Sequence, residues 1–370
     1  MGLRLYSSTL DLCDLSSNHI QTVLNSLPTD HICGVVVCGT SDTMEYHKLL
    51  VKVKSVIGEV LGRRVPITLI PQYLLPNGGL SIDIYTTDNI SQLRIEEREG
   101  VCYGLVEDEE EKLLFVEGIP SSDFGQSVRQ QSDEVFKKLD TLLTSFDFGV
   151  DDIVRQWNYI GNIVSHKNGK QNYQEFNDAR SAYYAKGDWH NGYPAATGIG
   201  VDGEGIIVGG IAFKSTKQGG IYPIDNPLQV AAHIYSKKVL IDDDKNAIKS
   251  TPKFERAKLI ESKRGACCFV SGTAAIRGEE SISNASAEVQ AIKTIENIDY
   301  LVSKENLVRY GCKPYDLRYI QLQVFIKRAE DYAEVRAVVE KRFPHIPTVY
   351  TIADVCRCEL LVEIEGILIS

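Results

Sequence analysis

The side chains in this sequence best placed to do chemistry stand near its end. Glu363 and Glu365 are two apart in the run Leu360-Leu-Val-Glu-Ile-Glu365, and on a strand that spacing turns both carboxylates to one face. The apolar neighbours Leu360, Leu361 and Val362 desolvate Glu363, and the second carboxylate opposes its ionisation. Glu363 therefore reads as an acid kept protonated near neutral pH and able to give a proton. Cys356, seven residues earlier, adds a thiol to the same stretch. Arg180 and Asn177 stand three apart in Phe176-Asn-Asp-Ala-Arg180 and share a helix face. Guanidinium groups suit bidentate capture of carboxylates, and Arg256, which closes Pro252-Lys-Phe-Glu-Arg256, is a second candidate. Tyr173, Tyr235 and Thr197 add hydroxyls for hydrogen bonding. Gly198-Ile-Gly-Val-Asp-Gly203 has the G-x-G-x-x-G spacing, yet it runs into Ile206-Ile-Val208, which is strand. A dinucleotide fingerprint needs a helix N-terminus there to meet the pyrophosphate, so no nucleotide is expected.

The elements that must position these groups recur along the chain. Leu113-Leu-Phe-Val-Glu-Gly-Ile119 and Cys267-Cys-Phe-Val-Ser-Gly-Thr273 are alike, with Phe115 and Phe269 separated by 154 residues; Pro194 and Pro347, 153 apart, open two β-rich tails. Between them each copy carries an amphipathic helix pattern, Val128 to Phe146 and Val289 to Leu301. A β-rich strand follows, 154–163 and 319–326, then a second helix, 173–184 and 331–343. Two strands, a helix, a strand, a helix and a closing hairpin make an α+β unit. The head repeats only the second half: a helix on Leu49, Val53, Val56 and Val60, then a hairpin from 65–70 through Pro76-Asn-Gly-Gly79 to 80–85.

The 370 residues are ample for two or three domains with real cores. Forty Lys and Arg against fifty Asp and Glu leave a net charge of −10 with no recurring basic block, which disfavours nucleic acid as a partner. Nine cysteines, without a CxxC pair or His at zinc spacing, read as free thiols, and no metal is expected. The start carries no signal-peptide pattern and no apolar run nears the length of a membrane span, so the expected setting is cytoplasmic, with no membrane partner.

The order of elements resembles the RidA/YjgF family, whose α+β, chorismate-mutase-like subunits assemble as trimers with ligand clefts between neighbours. Ala353-Asp-Val-Cys-Arg-Cys-Glu-Leu-Leu-Val-Glu-Ile-Glu-Gly366 is similar to that family's terminal hairpin. The resemblance implies a single-chain pseudo-trimer: a degenerate unit over 1–95, a unit over 96–214, a connecting insertion over 215–264, and a unit over 265–370 that carries the acid. The first unit has Asp83 at the position of the Glu pair, and the second, within Ile206–Ala212, has no acid. RidA-type deaminases place a basic residue after the proline; here Pro347 is followed by Thr-Val-Tyr and Pro194 by Ala-Ala-Thr, which argues against imine hydrolysis.

A narrower resemblance, over roughly 150–370, is to the chorismatases (FkbO-like). It rests on Arg155-Gln-Trp-Asn-Tyr159, Asn172–Tyr184, Pro194–Gly200, Asn226-Pro-Leu-Gln-Val-Ala-Ala232, Pro252–Ala257, Ser271-Gly-Thr-Ala-Ala-Ile276 and the Glu-Ile-Glu strand. After Tyr235 the sequence departs from the pattern, with the charged run Ser236-Lys-Lys-Val-Leu-Ile-Asp-Asp-Asp244 in place of an aromatic, Gly-containing loop. The resemblance implies chorismate as substrate, no cofactor, and a monomer working in one cleft between the second and third units. In that cleft Glu363 protonates the enolpyruvyl methylene carbon. Arg180, Asn177, Tyr173, Thr197, Arg256, Tyr235 and Glu365 bind the substrate. Cys356 stands where 3-hydroxybenzoate-forming chorismatases carry Cys, which implies 3-hydroxybenzoate and pyruvate as products. Hydrolysis to the trans-dihydrodiol stays open, as does a RidA-like enamine or imine deaminase or a small-carboxylate binding protein.

Overall fold

The computed structural model describes residues 3–10, 31–40, 45–88, 90–167, 169–216, 220–236, 250–262 and 265–370. The first unit comprises β1 (Leu3–Leu10), β2 (Ile32–Cys38), α1 (Tyr46–Leu61), β3 (Ile67–Ile70) and β4 (Leu80–Thr87). The second comprises β5 (Leu93–Arg98), β6 (Val101–Glu107), β7 (Glu111–Pro120), α2 (Val128–Ser145), β8 (Ile153–Gly161), α3 (Asn172–Tyr184), β9 (Ala195–Val201) and β10 (Ile206–Ser215). The third comprises β11 (Ile221–Ile224), β12 (Ala257–Ser262), β13 (Gly265–Ala274), α4 (Ala287–Leu301), α5 (Lys304–Arg309), β14 (Arg318–Ile326), α6 (Tyr332–Arg342), β15 (Thr348–Ile352) and β16 (Val362–Ile369).

The helices follow the apolar stripes. α2 buries Val128, Val135, Leu139 and Leu142 and starts at a reciprocal capping box between Ser127 and Gln130; α4 buries Ile295, Ile298 and Leu301 behind a Ser286 cap. Each unit carries the same four neighbouring strands, β1-β4-β2-β3, β7-β10-β8-β9 and β13-β16-β14-β15. The fold is thus α+β, three like-connected units on one chain.

Three details differ from the sequence reading. The head has a first strand as well, since β1 pairs antiparallel with β4 from Leu3 opposite Thr87 to Leu10 opposite Leu80. The closing strands are not hairpins: β3 and β4 lie on opposite sides of β2, and β15 and β16 on opposite sides of β14. The physical reason is pairing direction, because β3, β9 and β15 pair parallel with β2, β8 and β14, which leaves the following strand to pair on the far side. The 215–264 stretch, expected to connect units, contributes β11 and β12 to the third sheet, where β12 pairs with β13.

Register places the acids. Asp83 lies opposite Val36, Gly210 opposite Gln156 and Glu365 opposite Gln323, one station in three units. The Glu363 station holds Ser81 in the first unit and Val208 in the second, opposite Cys38 and Asn158. The acid pair belongs to the third unit.

Each sheet packs its helices over an apolar core. A further core, with Tyr85, Phe115, Trp157, Phe269, Phe325 and Ile367, lies where the three units meet. Buried polar ties fasten each seam. Glu117 of β7 accepts from Lys54 Nζ (2.8 Å) and Ile67 N (3.0 Å) of the first unit. Gln321 of β14 donates to Asp83 of β4 (2.6 Å). Gln72 of the first unit touches both others, donating to Gly200 O (2.7 Å) and accepting from Thr351 Oγ1 (3.0 Å). No helix among the described residues is long and apolar enough to cross a membrane.

Candidate active site

Four segments meet at the seam of the second and third units. β16 brings Glu363; the start of α3 brings Tyr173 and Asn177; the irregular segment just before β12 brings Phe254 and Arg256; the loop 353–361 brings Cys356, Arg357 and Leu360. Tyr235, Gly272, Ala274 and Ile276 complete the wall of a cavity of about 120 Å³, more than a single water requires. Cys356 thus lies on a loop rather than on a strand.

Close backbone approach shapes this wall. β13 is bulged between Val270 and Thr273, which carries Gly272 beneath the acid. A Cβ on Gly272 would collide with Glu363 Oε1 and press Thr197 Cγ2 at 3.0 Å, so glycine is what leaves the acid its place. The glycines that imitated a nucleotide motif do related work. Gly200 N donates to Asp354 O (2.9 Å), which pins the 353–361 loop, and Gly198 lies against the Tyr173 ring. Arg357 Nη1 holds the same loop through Glu279 O and Ser281 Oγ, both at 3.0 Å.

Glu363 is 5 % exposed. Burial first, and the neighbouring Glu365 second, push its carboxyl up to about 8 against the opposing pull of Arg256 and Arg155. At neutral pH it carries a proton. Burial and then Glu363 push the Cys356 thiol up to about 12, so it is a neutral thiol rather than a nucleophilic thiolate. The eight cysteines in described positions are free thiols.

Among the described residues, Arg180, Arg256 and Arg357 around the cavity have no carboxylate partner. Arg180, 1 % exposed, donates to Asn177 Oδ1 (2.6 Å) and lies over Phe176. Arg256, 2 % exposed, donates to Val230 O (2.9 Å) and Tyr235 Oη (2.6 Å). Nε of each is buried without a partner among the described residues. Arg357 also bonds only neutral groups. Buried guanidinium groups held by neutral acceptors keep an unmet demand for an anion.

Of the residues expected from the sequence, Tyr173, Asn177, Tyr235, Arg256, Cys356 and Glu363 line one cavity. Arg180 sits one layer back, gripping Asn177. Thr197 and Glu365 lie behind the acid: the Thr197 hydroxyl accepts from Arg155 Nη2 (2.9 Å) and Gly272 N (3.0 Å) and donates to Glu365, which uses its full capacity. Glu365 also accepts from Arg155 Nη2 (2.7 Å) and Trp157 Nε1 (3.0 Å). Apart from Ser236, the charged run 236–244 lies outside the described residues. Sequence reasoning passed over Arg155, Trp157 and Arg357. An Arg and a Trp alternating inside the apolar strand Ile153–Gly161 were the available signal for the first two. No group of three His, Cys, Asp or Glu suited to hold a metal occurs among the described residues.

Residues 89–212 match the family model described as chorismatase FkbO/Hyg5-like, N-terminal. The chain is 31% identical over 298 residues to a 3-hydroxybenzoate synthase of Streptomyces hygroscopicus, covering 77% of this chain and 80% of that relative. It is 33% identical over 227 residues to a chorismatase of Streptomyces rapamycinicus, covering 59% and 64%. A chorismatase crystal structure superposes with a TM-score of 0.73 at 21% identity, covering 100% of this chain and 99% of that one. With a relative this similar over this much of both chains, the protein belongs to the chorismatase family.

Proposed function

We propose that this protein converts chorismate to 3-hydroxybenzoate and pyruvate in the cavity between its second and third units. The observation that carries the reading is the pairing of a buried, protonated Glu363 with three arginines that have no carboxylate partner among the described residues. Chorismate is a dianion with an acid-labile enol ether, and it needs both features. Arg256 and Arg357, which line the cavity, take its two carboxylates, with Tyr173, Asn177 and Tyr235 as hydrogen-bonding neighbours and Arg180 adding positive charge from behind Asn177. Glu363 delivers its proton to the enolpyruvyl methylene carbon, and the resulting oxocarbenium ion releases pyruvate either by attack of water or by rearrangement of the ring.

The named relative and the position of Cys356 favour the aromatic product. The two routes differ in their balance: 3-hydroxybenzoate and pyruvate together have the composition of chorismate, whereas the dihydrodiol route takes up one water. One chain supplies every group this chemistry uses, so in this reading a single chain suffices for turnover. Chromatography of a chorismate incubation tests the product. An aromatic acid equimolar with pyruvate is expected. A non-aromatic diol overturns the product assignment, and absence of pyruvate overturns the activity.

A further inference from the structure

Glu363 and Glu365 share one strand face, but their surroundings divide their tasks. Glu363 lines the cavity, while the Glu365 carboxylate is turned to the second unit and takes donors from Arg155, Trp157 and Thr197. Arg155 is 2 % exposed, lies over the Trp157 ring at 4.6 Å, and is the cation in that trio. All three donors come from β8 and β9, so the second unit fixes an anion that belongs to the third. At the matching station the first unit has Asp83, which accepts from Gln321, and the second has Gly210.

We propose that Arg155 is a positioning residue: with Trp157 and Thr197 it holds the Glu365 carboxylate clear of the cavity, so that Glu363 alone faces the substrate. Removing Arg155 leaves Glu365 a buried carboxylate with neutral donors only. Without its cation such a carboxylate is free to swing toward the cavity, where it competes with Glu363 for the substrate. The charged and titratable groups facing Glu363 are Glu365 on its own strand, Arg155 on β8, Arg256 before β12, Cys356 on the 353–361 loop and Tyr173 on α3. Of these, Glu365 is the anion that opposes ionisation of the acid at neutral pH.

The inference rests on the proposed reaction, so wild-type pyruvate release from chorismate is measured first; its absence refutes that reaction and says nothing against the anchor as geometry. Given wild-type turnover, Arg155→Gln should lower kcat by about tenfold or more with KM within about threefold, and Arg155→Lys should recover part of it. Glu365→Gln removes the opposing charge, so the alkaline fall of kcat should move to lower pH by about one unit. A KM rise with an unmoved alkaline limb in Glu365→Gln overturns the anchor in favour of direct substrate binding by Glu365. Wild-type kcat in Arg155→Gln overturns it as well. If Arg155→Gln does not fold, the Glu365→Gln profile decides.

Discussion

At the residue scale, the environment of a carboxyl group governs the chemistry. Glu363 and Glu365 are chemically identical and two residues apart, yet one faces an apolar wall and the other a guanidinium, an indole and a hydroxyl. Replacing Glu363 with Gln should reduce pyruvate release by roughly 10²–10⁴-fold while the fold persists, measured by coupled assay and circular dichroism. The same residue sets a stability trend. Its carboxyl is raised in the fold from 4.5 to about 8. Its contribution to stability is therefore full below pH 4.5 and is lost as pH rises through about 8. Wild type should lose stability over that window relative to Glu363→Gln, read by denaturant titration. Arg256→Met removes a proposed carboxylate anchor and should raise KM for chorismate by about 10- to 100-fold, the range for a hydrogen bond to a charged group. The acid and the arginine candidates were legible in the sequence because their types are unusual next to apolar runs. Arg155 was not, because a cation inside a buried strand becomes visible only when its anion, 210 residues away, is brought beside it.

At the scale of elements, the helices followed directly from their apolar spacing, whereas strand order did not. A helix satisfies its backbone locally, and its buried stripe is written every three or four residues. The neighbours of a strand are set by chain crossings, so β3 and β4 read as a hairpin although β2 lies between them. β11 was missed for a related reason, since four residues containing Pro223 at a sheet edge give little periodic signal. The bulge at Gly272 likewise has no sequence pattern beyond its glycine, yet it fixes where the acid sits. Gly272→Ala should displace the Glu363 carboxyl by the width of a methyl group. About 10²-fold loss of turnover is expected, with the unfolding transition little changed, because the obstructing atoms belong to a side-chain end rather than to backbone.

At the scale of the whole molecule, three units of one topology are held by a common core and by buried polar ties at each seam. The 154-residue repeat made two units legible; the first was harder to read because its opening strand lies far from the elements it pairs with. That unit carries no acid pair, but it fastens the others. Gln72, fully buried, bonds to Gly200 and Thr351 at once. Gln72→Ala should cost about 1–3 kcal/mol, since it strands a buried carbonyl and a buried hydroxyl. The loss would be read from the denaturation midpoint, with chorismate turnover retained in the folded fraction. Among the described residues, the seam of the second and third units is the one that combines an acid held protonated with arginines lacking a carboxylate partner. The claim is tested most directly by the pH dependence of kcat for pyruvate release from chorismate by the wild-type protein. A plateau that falls about tenfold per unit as pH rises through about 8 is predicted, as the donor proton on Glu363 is lost. Turnover that stays level to pH 10, or no pyruvate at any pH, would contradict the account.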